Sequence, residues 1–134
     1  TMAKSWEKYG IHALETVYPI VGPGFESIQN LGDKNRNIVH LKHSKGIDIN
    51  IANINDMLGG FGLISLMGTK SGIQIKSTDT YYAFKKQLQS YVNYLQTGHK
   101  PVPWNETYEL MQLVSAGIES REKGGMKITL NKDN

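Results

Sequence analysis

The stretch that decides the fold is Ile47-Asp48-Ile49-Asn50-Ile51, in which apolar and polar side chains alternate without a break. Successive side chains of a β-strand point to opposite faces of the sheet, so this alternation predicts a strand with one buried face and one polar face. Further candidate strands lie on both sides of it, separated by polar and glycine-rich turns. We predict that those before residue 77 form an antiparallel meander, and we place the strands over residues 25–31, 37–43, 61–67, 73–76 and 126–130.

A helix is predicted before these strands, over about residues 7–17. Ile11, Leu14 and Tyr18 recur at the spacing of one helix face and form an apolar stripe. Pro19 lacks a backbone N–H and is therefore expected to end or kink the helix.

Two longer helices are predicted after residue 77. Asp79 or Thr78 is the expected N-cap of the first, and Gly98 is expected to end it. Asn105 is the expected N-cap of the second, which carries Glu106 in its first turn, where the helix dipole favours an anion. The apolar stripe of the first comprises Phe84, Leu88, Val92 and Leu95, and the inward side of the second comprises Leu110, Leu113, Val114, Gly117 and Ile118.

The order helix, strands, helix, helix, strand predicts an α+β fold with a mainly antiparallel, open-faced sheet and helices packed on one face. A length of 134 residues fits one domain spanning residues 1–134. Residues 61–67 are apolar on both faces of their strand, and an exposed apolar sheet face usually meets a partner. We therefore expect either a homo-oligomer, such as a homodimer, or an interdomain contact that forms through the open face of the sheet.

Composition narrows the class of protein. Fifteen basic and 12 acidic residues give a net charge of +3 without a basic cluster, which argues against nucleic-acid binding. No apolar run approaches the roughly 20 residues that span a bilayer, so no membrane partner is expected. The lack of cysteine excludes disulfides and thiolate metal sites and fits a cytoplasmic location. The chain opens Thr1-Met2-Ala3 rather than at an initiator methionine, so we expect a fragment of a longer protein.

The leading candidate site is Tyr9-Gly10-Ile11-His12-Ala13-Leu14-Glu15. On a helix, His12 and Glu15 lie one turn apart on the same face. Histidine is the side chain best suited to proton transfer near neutral pH. The pair is therefore interpreted as a general acid–base or a ligand of a substrate hydroxyl group, and the alternative is a surface histidine beside an ion-pairing glutamate.

Other motifs are interpreted as structural. Gly22-Pro23-Gly24 imitates a phosphate loop, but a helix precedes it and extended residues follow, the reverse of a dinucleotide-binding turn. We therefore expect no cofactor-binding residues in this chain. His40 and His43 are an odd number of positions apart in a predicted strand and should point to opposite faces, so no metal site is expected.

Taken in order, these motifs resemble the C-terminal domain of the Gfo/Idh/MocA oxidoreductases, the superfamily of glucose–fructose oxidoreductase and inositol dehydrogenase. The similarity covers nearly the whole chain. Each matching segment alone is weak evidence, and the resemblance depends on the order and spacing of the segments together. The pieces are Gly10-Ile11-His12 with Glu15, then Gly22-Pro23-Gly24, the turn at 68–72, the stretch 95–101 with Glu106-Thr107, residues 116–120 and the closing residues 127–130.

The resemblance implies a function that composition does not. Such enzymes join an N-terminal Rossmann domain, which binds NAD or NADP, to a sheet domain that shapes a sugar or polyol pocket and mediates oligomerisation. The chain is thus expected to be the substrate-binding and oligomerisation domain of an NAD(P)-dependent oxidoreductase acting on CH–OH groups. The Rossmann domain is absent from it, and it should be inactive alone. His12 matches the active-site histidine of the family, and Tyr9 and Glu15 are expected as substrate-binding neighbours.

One departure from the family pattern keeps two alternatives open. An aspartate often lies four residues before the active-site histidine, and this chain has Lys8 there. Glu15 is a candidate substitute for that carboxylate. The alternatives are a non-catalytic module that dimerises through its sheet, with His12 merely on the surface, and an NAD-dependent glycosidase-type relative on the same scaffold.

Overall fold

The computed structural model describes residues 1–58, 62–76 and 79–130. Strands and helices within these ranges alternate much as predicted. In chain order they are β1 (Met2–Ala3), α1 (Trp6–Val21), β2 (Phe25–Asn30), β3 (Arg36–His43), β4 (Asp48–Ile54), β5 (Leu63–Met67), β6 (Gly72–Lys76), α2 (Thr80–Thr97), α3 (Trp104–Glu122) and β7 (Ile128–Thr129).

The main sheet has five strands in the order β1-β4-β3-β2-β7. All neighbours are antiparallel except β1 and β4, which pair in parallel through Met2 opposite Asn53. The predicted α+β class with a mainly antiparallel sheet is confirmed.

The prediction of one continuous meander is wrong, because β5 and β6 form a two-stranded sheet of their own. The short strand β1, which was not predicted, pairs with the edge of β4 that lies away from β3. In the predicted meander β5 would have paired with this edge. A hydrogen bond of 2.8 Å from the Thr1 amino group to the Leu63 carbonyl links the two sheets.

The core lies between one face of the main sheet and the helices α1 and α3. Inward residues of β3 and β4 alternate with outward ones, as the pattern predicts for residues 48–51, whereas Ile47 lies outside β4 and is 37% exposed. Residues of α3 named in the prediction face this core, with Ile118 only partly buried. The largest wholly buried apolar side chains are Trp6, Phe25, Leu14, Ile28, Leu41 and Leu113.

Trp6 is the centre of the contact between α1 and α3. Its indole nitrogen donates to the Val114 carbonyl at 3.0 Å. Gly10 and Gly117 both lie against the ring, and a Cβ added at either would come within 2.7 Å of a ring atom. The two glycines therefore form a slot that admits a tryptophan between the helices.

A buried polar cluster fixes the first turn of α1 against the sheet. The Arg121 side chain is only 7% exposed; it pairs with Glu7 and donates to Asn37 Oδ1 at 2.9 Å. Asn30 Nδ2 donates to the same oxygen at 2.9 Å. Burial alone would raise the pKa of Glu7, but the hydrogen bond and the charge of Arg121 outweigh it, so that this pKa lies below its usual value.

Two helix boundaries differ from the predictions. Helix α1 does not end before Pro19 but continues to Val21, because the one lost hydrogen bond lies in the last turn while Tyr18 and Val21 are buried. Helix α3 begins at Trp104 after an extended Pro103, so Asn105 lies inside the helix and is not its N-cap.

Helix α2 has the predicted ends but not the expected packing. Asp79 caps it by accepting a hydrogen bond of 2.8 Å from the Tyr82 amide, and Gly98 ends it in the left-handed conformation. The other predicted cap, Thr78, lies outside the described residues, as does residue 61 of the predicted strand 61–67. Helices α1 and α3 cover the sheet, whereas none of the residues of α2 is buried.

Candidate functional site

The exposed side of α1 carries the predicted pair. His12 Nδ1 lies 3.1 Å from Glu15 Oε2, one helical turn away. The side chains are 51% and 53% exposed, respectively. The structure therefore brings the two residues together, on the surface rather than in a closed pocket.

Tyr9 belongs to the same patch. Its ring meets the His12 imidazole edge-on, with centroids 5.3 Å apart and planes at 69°. Tyr9 is partly buried and packs against the core, so it supports one side of the imidazole. Lys8 is exposed and lies one turn before His12, on the same side of the helix.

The hydrogen bond between these side chains defines what the patch can do chemically. When Nδ1–H of His12 donates to Glu15, Nε2 is left as the acceptor. A hydroxyl group placed against Nε2 can then give up its proton to the ring, and the adjacent carboxylate stabilises the imidazolium that forms. Because half of each side chain faces solvent, a substrate would need further walls to be held there.

Glu109, on α3, occupies the amides of the glycine-rich loop. Its Oε1 accepts hydrogen bonds of 2.9 Å from both Gly24 N and Phe25 N, and its Oε2 accepts one of 2.7 Å from the Tyr18 hydroxyl. A phosphate bound by this loop would need the same two amides. Glu109 thus serves as an internal anion that joins α1, α3 and the start of β2.

This environment changes the pKa of the Tyr18 phenol. Burial raises the pKa of the Tyr18 phenol well above its ordinary value, and the hydrogen bond to the Glu109 carboxylate raises it further. The phenol therefore remains a hydrogen-bond donor over the physiological pH range. Sequence reasoning missed Glu109, although its position one turn before Leu113 places it beside the inward stripe of α3.

The two histidines of β3, His40 and His43, lie on opposite faces of the sheet, as their spacing predicts. His43 is buried, accepts from the Lys45 amide at 3.1 Å, and contacts the Pro23 carbonyl at 3.0 Å. His40 points outward and lies 2.8 Å from an oxygen of Asp48. Among residues 1–58, 62–76 and 79–130, no group of three His, Cys, Asp or Glu side chains could hold a metal ion.

Comparison with known proteins gives a match in structure only. No family model and no curated protein matches the sequence. Two solved structures share the fold across nearly the whole chain. A myo-inositol dehydrogenase from Corynebacterium glutamicum ATCC 13032 matches 98% of this chain with a TM-score of 0.76 at 19% identity. A myo-inositol dehydrogenase from Lactobacillus casei, in complex with NAD(H) and myo-inositol, matches 99% with a TM-score of 0.77 at 14% identity.

These comparisons define a class of fold. The chain has the fold of the C-terminal domain of inositol dehydrogenases, which confirms at the level of the fold the resemblance seen in the sequence. It spans about half the length of the structures it matches, 54% and 52%. None of the helices in the described ranges is long and apolar enough to cross a bilayer.

Proposed function

We propose that the chain is the substrate-binding and oligomerisation domain of an NAD(P)-dependent sugar or polyol dehydrogenase, located C-terminal to a Rossmann domain. The observation that carries the proposal is the His12–Glu15 pair on the exposed side of α1, within a fold shared with two inositol dehydrogenases. On this proposal the chain alone is inactive, and the protein is located in the cytoplasm.

The glycine-rich loop in this chain does not fit a dinucleotide. Two amides that would bind its phosphates, those of Gly24 and Phe25, already donate to Glu109. Binding of NAD or NADP is therefore assigned to the companion domain. The chemistry that such a cofactor supplies when bound is hydride acceptance.

The residues of this chain perform the proton half of the reaction. His12 Nε2 accepts the proton of the substrate hydroxyl group while the neighbouring carbon is oxidised. Glu15 holds the imidazole through Nδ1 and stabilises its charged form. Tyr9 limits the movement of the ring by its edge-on contact. We propose that Lys8, one turn before His12, takes the place of the usual aspartate, and that Glu15 supplies the carboxylate beside the imidazole.

The test uses the full-length protein, with NAD⁺ or NADP⁺ and a panel of polyols and sugars, by absorbance of the reduced nicotinamide. His12→Gln should lower kcat at least 100-fold, since general acid–base catalysis contributes roughly 10²–10⁴. Glu15→Gln should lower kcat less, because the amide keeps a hydrogen-bonding oxygen near Nδ1 but removes the charge that stabilises the imidazolium. His99→Gln and Glu26→Gln, both exposed sites away from the patch, are the matched controls. Full activity of the His12 variant would refute the proton-transfer role.

A second candidate function is a non-catalytic module that dimerises through the sheet. The half-exposed setting of His12 is the observation that favours it. On the outer face of the main sheet, Ile38 lies opposite Ala52 and is 46% exposed, next to the polar residues His40 and Lys42. Sedimentation of Ile38→Asp should show loss of a dimer if that face is the interface. A full-length protein that dimerises this way but turns over no substrate with either nucleotide would establish the second function in place of the first.

A further inference from the structure

Three asparagine side chains lie in the core at one end of the main sheet. They are Asn30 of β2, Asn37 of β3 and Asn53 of β4, and each residue is 0% exposed. An amide group in the core is costly to bury unless its N–H and C=O groups are hydrogen-bonded. Each of these three amides is therefore expected to have partners for both of its ends.

Asn30 and the oxygen of Asn37 have such partners. Asn30 Nδ2 donates to Asn37 Oδ1 at 2.9 Å and to the Gly117 carbonyl at 3.2 Å, and Asn30 Oδ1 accepts from Gly32 N at 3.1 Å. Asn37 Oδ1 accepts a second hydrogen bond, of 2.9 Å, from Arg121. Turning the Asn37 amide over would direct its N–H groups at two donors, so its orientation is fixed and Nδ2 lies on the other side of the group.

Three atoms of the other two ends lack a hydrogen-bond partner in the described part of the chain. They are Asn37 Nδ2 and both Nδ2 and Oδ1 of Asn53. Exchanging the nitrogen and the oxygen of Asn53 leaves the same number of atoms unpaired, since neither end has a partner. Asn37 and Asn53 stand directly opposite each other in the register of β3 and β4, and side chains opposite on one face have Cβ atoms about 4.5–5.5 Å apart. The unpaired atoms therefore border the same interior space, which we call the Asn37–Asn53 site.

The chemistry of the Asn37–Asn53 site selects its occupant. The occupant must accept from Asn37 Nδ2 and also donate to Asn53 Oδ1. It must be neutral as well, because the two amides carry no charge and the nearby Arg121 is already paired with Glu7. A metal ion needs several oxygen ligands, whereas one unpaired oxygen is present among the described atoms of the site. A water molecule is neutral, donates and accepts, and typically makes about three hydrogen bonds when it is buried.

We infer that Asn37 and Asn53 bind an ordered internal water molecule between β3 and β4. Immobilising a water costs less free energy than leaving buried polar groups unpaired. The water accepts from Asn37 Nδ2, donates to Asn53 Oδ1 and is within the reach of Asn53 Nδ2 when that side chain turns about its last bond. It joins β4 to Asn37, which Arg121 joins in turn to Glu7 in the first turn of α1. This role does not depend on the proposed function.

A high-resolution crystal structure of the 134-residue chain, with nuclear magnetic resonance in solution, tests the inference. The structure should show a water oxygen within about 2.7–3.2 Å of both Asn37 Nδ2 and Asn53 Oδ1. In solution, the side-chain amide protons of Asn37 should show a cross-peak to water with the sign of a long-lived bound molecule. Asn53→Leu should abolish that cross-peak. Asn50→Leu changes an exposed residue of the same strand on its opposite face, and as the matched control it should leave the cross-peak unchanged.

The result in the wild-type protein is decisive by itself, whether or not Asn53→Leu folds. Electron density for a direct hydrogen bond between Asn37 and Asn53, with no water between them, overturns the inference. A site that is dry in the crystal structure, or an Asn37 amide without the cross-peak, overturns it as well. A cross-peak that persists in a folded Asn53→Leu variant arises from a different water and has the same consequence.

Discussion

The slot around Trp6 gives a prediction that can be developed quantitatively. In Gly117→Ala the new Cβ would lie 2.7 Å from Trp6 Nε1 and 2.8 Å from Cε2. Ordinary contacts between such atoms are 3.4–4 Å, so the ring would have to move by several tenths of an ångström. Trp6 is wholly buried, and Gly10 bounds the ring as well, so the movement must be shared by the backbones of both helices.

The expected cost follows from three contributions. Overpacking a well-packed core typically costs about 1–3 kcal/mol. A weakened bond from the indole to Val114 adds about 1 kcal/mol. Alanine has a higher helix propensity than glycine, which offsets about 1 kcal/mol of this cost. We therefore expect Gly117→Ala to lower the free energy of unfolding by about 2 kcal/mol, which corresponds to a fall in Tm of roughly 8 °C for a domain of this size.

Urea unfolding of the 134-residue chain, followed by circular dichroism at pH 7, measures this change. Ser115 is an exposed site of the same helix, so the difference in stability between Ser115→Gly and Ser115→Ala measures the helix-propensity difference between glycine and alanine without a steric clash. In a Trp6→Leu background the smaller side chain removes the clash, so Gly117→Ala should become neutral or stabilising by up to about 1 kcal/mol. If Gly117→Ala matches or exceeds the wild-type stability with Trp6 present, the slot does not control the packing of α1 on α3.

Three further predictions concern the Glu109 anion and the helix caps. Glu109→Gln should lower the free energy of unfolding by about 1.5–3 kcal/mol in urea, because two amides and a phenol lose a charged acceptor; wild-type stability would contradict this. The raised pKa of Tyr18 stabilises the fold fully below about pH 10, the ordinary pKa of tyrosine, and this contribution is lost as the pH rises above it; ultraviolet titration should show one phenol that ionises only with unfolding, and Tyr18→Phe should abolish that phase. Asp79→Ala should reduce helix content by circular dichroism, whereas Asn105→Ala, which removes no cap, should not; equal effects would contradict the assigned caps.

Local patterns predicted the elements whose burial repeats regularly along the chain. The alternation at 47–51 identified β4, because each inward residue of that strand meets the helices and each outward residue meets solvent. The stripe of α3 was predicted for the same reason, since one of its sides lies on the sheet. Asp79 and Gly98 were recognisable as the ends of α2 because capping depends on adjacent backbone groups alone.

Features set by contacts between distant residues could not be predicted this way. The strand β1 is two residues long, and its parallel pairing with β4 depends on where α1 places the beginning of the chain. That pairing separates β5 and β6 from the main sheet, although their own sequences are typical strands. Glu109 looks like a surface residue of α3, and its role depends on the loop at Gly24 meeting it from 85 positions away.

The candidate site shows the same division between local and distant information. The approach of His12 to Glu15 follows from helix geometry and was predicted from their spacing. Whether the pair lies in a pocket depends on what faces it, and in this chain about half of each side chain faces solvent. The apolar stripe of α2 is exposed for a related reason, since a helix pattern predicts that a face is buried but not by which surface. Both exposed surfaces therefore depend on what faces them, which the local patterns of α1 and α2 do not specify.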